Sequence, residues 1–150
     1  MNSVTEMIAA LRKMYRVMLA PAAAGVFAIE LLRELGPLSG WRLPGGASIE
    51  LHFFIFTAAT ALATPMLYRS LFASSHRGKM SIALATLYRY ENNSMVIAMM
   101  TPWMSLVASI FAFSAFYTIG IFFLGIYACY FYYPSQRKIE ADIRIFRVKV

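Results

Sequence analysis

The sequence predicts an all-α integral membrane protein with four transmembrane helices, both termini cytoplasmic and a basic C-terminal tail. Three observations predict it. The chain of 150 residues is 60% hydrophobic and only 14% charged, whereas a soluble domain has about a quarter of its residues charged. Residues 95–134 carry no charged side chain. One helix through them would be about 60 Å long, twice the hydrocarbon thickness, so two spans must share the run. Finally, of the 14 Lys and Arg residues only Arg33 and Arg42 fall on the outer side of such a four-span topology, which satisfies the positive-inside rule.

The elements follow in order. Ser3 and Glu6 have the spacing of a capping box, and Val4, Ile8, Leu11 and Tyr15 recur at helical intervals. Arg12, Lys13 and Arg16 cluster near the start of the first span, 15–32, with Pro21 in its opening turns, where a missing N–H costs least. Ala20, Ala24 and Ala28 form a small-residue stripe that lets another helix approach closely. No cleavage site bounds this first apolar run, and Glu6 argues against a mitochondrial presequence.

Residues 35–48, LGPLSGWRLPGGAS, read as a loop anchored at the interface by Trp41. The second span covers 49–68, with Pro65 near its far end. A basic segment with Arg69, His76, Arg77 and Lys79 follows, and then residues 81–94, whose Arg89, Glu91, Asn92 and Asn93 stand too close together for mid-bilayer. That segment is expected to be a short interfacial helix before the third span, or a cytoplasmic extension of it. The third and fourth spans, 94–112 and 116–133, meet in a turn near 113–117 without a strong turn signal. Together these elements make one transmembrane domain, 1–134.

Tyr132 and Tyr133 mark the interface, and Pro134 ends the last span. In the cytoplasmic tail, 135–150, Ile143 and Ile145 alternate with Arg144, and Phe146, Val148 and Val150 alternate with Arg147 and Lys149. That pattern reads as a bent strand seeking an edge on a partner protein or on another copy of the chain. Arg137, Lys138, Arg144, Phe146, Arg147 and Lys149 are the candidate partner-binding or lipid-binding residues, with anionic headgroups as the competing partner.

Chemistry-bearing residues are few. Glu30, Arg33, Glu34 and Glu50 gather at the outer ends of the first two spans as an ion-pair or transport cluster, Arg33 reaching Glu30 or, across the loop, Glu50. His52 and His76 fall on opposite sides of the bilayer, which argues against a bis-histidine haem within one chain. His52 and Trp103 are left as candidate positions for a haem or quinone shared with another subunit, the Trp103 N–H needing a partner from a facing helix, a bound ring or a lipid carbonyl. Pro102 is expected to kink the third span, and Met95, Met99, Met100 and Met104 read as gap fillers. No resident cofactor and no metal site are expected. Cys129 has no partner for a disulfide.

The chain lacks a Ser-His-Asp set, a phosphate-cradling glycine loop, a zinc-ligand spacing and a dinucleotide fingerprint, so it is not expected to be an enzyme. In a chain this apolar, a net charge of +7 marks cytoplasmic loops rather than nucleic-acid binding. The expected role is a small non-catalytic accessory subunit of a multi-subunit inner-membrane complex, such as a respiratory, secretion or transport assembly. The alternatives are a homo-oligomeric channel or transporter protomer and a haem-binding or quinone-binding anchor subunit. Expected partners are the bilayer and other membrane subunits or further copies of the chain. The expected location is the bacterial inner membrane, ahead of the mitochondrial one.

Overall fold

The computed structural model describes residues 3–38, 47–77 and 81–149. Trp41, Arg42 and most of the Gly/Pro-rich loop, and likewise Lys79 and Val150, lie outside the described residues. The elements run α1 (Val4–Glu34), α2 (Ala47–Ala58), a π-helical turn (Ala59–Ala63), α3 (Thr64–Ser75), β1 (Ile82–Ala83), α4 (Leu84–Phe111), α5 (Ala115–Phe131), α6 (Gln136–Ile145) and β2 (Val148–Lys149). Among the described residues three helices are long and apolar enough to cross a membrane: Val4–Glu34, Ser48–Ser75 and Leu84–Phe111. A fourth crossing rests on α5, whose 17 residues are followed by α6 at a bend of 69°. Helix α4 is the hub, with α1 and α5 lying along it and the α2–α3 rod against both α4 and α5.

Helix α1 begins where the Ser3 hydroxyl accepts from the Glu6 amide at 3.2 Å, a side-chain cap on an otherwise orphan donor. The start at Val4 places Pro21 deep inside a helix of 31 residues, not in its opening turns. Pro65 likewise stands in mid-rod rather than near its end, because α3 continues to Ser75. A proline ring collides with the carbonyl four residues back, here that of Ala61. The wide turn Ala59–Ala63 lies directly before it and accommodates that conflict. Beside it the Thr57 and Thr60 hydroxyls donate to the carbonyls of Phe53 and Thr57, at 2.7 and 2.9 Å.

Two expectations are corrected. Of the two alternatives for 81–94, the separate interfacial helix is overturned and the extension of the next helix holds: α4 is one helix from Leu84. Its buried stripe of Leu87, Tyr90, Glu91, Ser94, Met95 and Ala98 runs straight through the polar segment at helical spacing. The tail is not a strand either. Ser135 caps α6 by accepting from the Lys138 amide at 3.2 Å, and residues 136–145 are helical. Ile139 and Asp142 are buried, and Ile143 and Phe146 pack against the core beside them, at the three- and four-residue intervals of one helix face. Among the described tail residues only Val148–Lys149 form a strand. It pairs in parallel with β1 of the same chain, Ile82 opposite Val148, so the edge is filled without a partner or a second copy.

The α4–α5 turn occupies 112–114, at the leading edge of the expected window. Ala112 adopts the left-handed region at φ 50°, and the Phe113 amide donates back to the Ala108 carbonyl at 3.3 Å, closing α4 as a Schellman motif. The main core sits at the end of the bundle that holds the α1 N-terminus and α6. Met7, Leu11 and Tyr15 meet Leu87, Met99, Ala128, Tyr132 and Ile139 there.

Candidate functional site

At the α6 end, two ion pairs stitch the tail to the bundle. Lys138 Nζ stands 3.3 Å from Glu91 Oε2, and Arg69 Nη2 donates to Asp142 Oδ1 at 3.2 Å. Both carboxylates are almost fully buried, at 5% exposure for Glu91 and 3% for Asp142. A buried carboxylate is tolerated only when paired and hydrogen-bonded. Aromatic rings screen the pairs: Phe72 stacks on Tyr90 at 4.2 Å between centroids, Phe146 meets Phe72 edge-on at 5.2 Å, and Lys138 lies over the Tyr132 ring at 5.4 Å. Asn93 donates to the Tyr68 hydroxyl at 3.1 Å.

At the opposite end, Arg33 donates to both oxygens of Glu30, at 3.1 and 3.2 Å, and to the Ser109 carbonyl that closes α4. Glu50 does not join this pair. Its carboxylate accepts from the Ser114 amide at 3.2 Å and the Ser114 hydroxyl at 2.6 Å, satisfying the first turn of α5. Glu34 is exposed one turn beyond Glu30. The four residues thus divide into one ion pair, one helix cap and one solvent-facing carboxylate.

Between these ends lies a lateral cleft. Helices α1 and α5 are tied at one end, where the Tyr15 hydroxyl donates to the Cys129 carbonyl at 2.9 Å and Arg12 donates to the Pro134 carbonyl at 3.3 Å. Beyond that tie α4 floors the gap between them through Pro102 and Ser105, giving a cavity of 390 Å³ walled by Leu19, Ala22, Val26, Phe122, Gly125 and Ile126. A Cβ on Gly125 would fall 2.9 Å from Ser105 Oγ, so the close approach of α5 to α4 requires glycine there. A second cavity of 540 Å³ continues past Glu30, Phe122 and Ile126 to Arg33, Ser109 and Thr118.

The remaining sequence-derived candidates are placed as follows. The Trp103 indole donates to the Met18 carbonyl at 3.1 Å, so its partner comes from the facing helix α1. His52 is exposed on α2 with Nδ1 2.6 Å from the Ser48 carbonyl. His76 lies beyond the far end of α3, about 36 Å away along the rod. Met95 and Met99 are core residues, whereas Met100 is exposed. Of the tail residues, Lys138 and Phe146 turn inward, while Arg137, Arg144 and Arg147 are exposed and Lys149 is fixed by its backbone in β2. Among the described residues no three His, Cys, Asp or Glu side chains converge to hold a metal ion. Sequence reasoning missed Glu91 and Asp142 as a buried site. The available signal was the position of Glu91 one turn after Leu87 and one before Met95, on the apolar stripe of α4. Comparison of the chain with protein-family models, curated proteins and solved structures finds no match.

Proposed function

We propose that this chain is a small accessory subunit of a multi-subunit inner-membrane assembly, crossing the bilayer four times with both termini in the cytoplasm. The observation that carries the reading is the placement of α1. It packs chiefly on α4, while Ala20, Ala24 and Ala28 are exposed along its outer face. A small-residue face on a transmembrane helix favours close approach of another helix. The charged groups that could serve chemistry are instead occupied in holding the chain together: Glu30 with Arg33, Glu50 with Ser114, Glu91 with Lys138 and Asp142 with Arg69.

For the fourth crossing, α5 would span about 26 Å, close to a hydrocarbon core of about 30 Å once Ser114 and Tyr132 flank it. The cytoplasmic assignment of the termini is supported by the concentration of Arg and Lys on that side. Purification from native membranes in mild detergent tests the role. Stoichiometric co-purifying membrane proteins that are lost on Ala24→Leu are expected. A chain that migrates alone overturns the proposal.

A further inference from the structure

The two cavities between α1 and α5 form one slot with apolar walls and a charged mouth. Along α1 it runs from Leu19 to Arg33, and along the antiparallel α5 from Cys129 to Ala115. Each is a separation of 14 residues, or about 21 Å, against about 15 Å for one leaflet's hydrocarbon. On the proposed four-span topology, on which this inference rests, the slot reaches from headgroup level at the α4–α5 turn past the midplane. Its narrow part is lined by aliphatic and aromatic carbon. Its mouth holds Arg33 and Glu30 side by side, at 28% and 45% side-chain exposure. Ser109 lies there too, with a hydroxyl that has no hydrogen-bond partner among the described residues.

The mouth has a charge pattern. Arg33 offers guanidinium donors to a phosphate. Glu30 offers a carboxylate to an amine, and with Arg33 it makes a neutral pair that matches a zwitterion. An anionic headgroup leaves the Glu30 carboxylate without a cation to meet it, and a quaternary ammonium cannot donate a hydrogen bond to it. We propose that this slot binds an ethanolamine phospholipid, one acyl chain lying between α1 and α5, the phosphate on Arg33 and the primary ammonium on Glu30. This face of α1, which includes Ala22, Ala23 and Val26, is turned about two-fifths of a revolution from the Ala20, Ala24 and Ala28 face.

The test is native mass spectrometry of the full chain in mild detergent with equimolar ethanolamine, glycerol and choline phospholipids of identical acyl chains. The expected result is one retained ethanolamine lipid, favoured about tenfold over the others, and not displaced by free phosphoethanolamine. Glu30→Gln frees Arg33 from its counter-charge and is expected to turn the preference toward the anionic glycerol lipid. Ala23→Phe, at an exposed position on the slot wall, is expected to reduce retention of every lipid about tenfold while circular dichroism and monodispersity stay unchanged. Equal retention of the three lipids by the wild-type chain, retention of none, displacement by free phosphoethanolamine, or an unchanged preference in Glu30→Gln each overturns the proposal. Glu30 is half-exposed, so that variant keeps the test decisive should Ala23→Phe disturb the fold.

Discussion

Lys138 of α6 and Glu91 of α4, 47 positions apart in the sequence, meet at 3.3 Å with the carboxylate almost wholly buried. Removing the cation of such a pair leaves the buried carboxylate uncompensated, a cost greater than the pair's net worth. Lys138→Met, which strands Glu91, is expected to destabilise the chain by about 3 kcal/mol in thermal unfolding in detergent. The double variant Glu91→Leu/Lys138→Met should recover most of that loss, because apolar groups of similar volume avoid the desolvation penalty. A double variant as unstable as Lys138→Met would show that the pair supplies more than charge compensation.

Ile139 is fully buried between α6 and the core. Its truncation to Ala should cost about 2–4 kcal/mol, enough to detach the tail before the bundle melts. Limited proteolysis reads this directly. Cleavage within 136–149 should accelerate in Ile139→Ala and remain at the wild-type rate in Arg137→Ala, whose side chain is exposed.

Glu50 and Ser114 join the start of α2 to the start of α5. Ser114→Ala and Glu50→Gln should each lower stability by about 1 kcal/mol, and the double variant by less than the sum because the two lesions remove one interaction. A double-mutant cycle with zero coupling would show that the contact contributes nothing.

The proposed four-span topology predicts accessibility. In a Cys129→Ser background, Arg137→Cys should react with an impermeant maleimide only after spheroplasts are opened, whereas Phe116→Cys, 76% exposed beside the α4–α5 turn, should react in intact ones. Labelling of both positions from the same side would remove α5 as a crossing.

The helices were legible because apolar run length and helical spacing are local properties. Twenty apolar residues need a bilayer whatever they pack against. The α4–α5 break was legible from length alone; its position within two or three residues was not, since Ala112 holds the left-handed conformation that glycine usually marks. The tail was misread because Ile143, Arg144 and Ile145 mimic a period of two, while the governing period runs through Ile139, Ile143 and Phe146 from the Ser135 cap. At the candidate site, the Arg33–Glu30 pair could be read from i,i+3 spacing. Glu91 with Lys138, Asp142 with Arg69 and Glu50 with Ser114 could not, because each joins residues that only the tertiary fold brings together.

The tail latch also orders events in time. Residues emerge from the ribosome N-terminal first, so Arg69 and Glu91 are made well before Asp142 and Lys138, the groups that neutralise them. The α1 face that packs on α4 is likewise ready before α6 and β2 can close over Leu87 and Tyr90. Until the tail docks, the Glu91 carboxylate lacks Lys138 and the apolar surface of Leu87 and Tyr90 lacks its cover. Docking of the tail is therefore the last step in closing this end of the bundle.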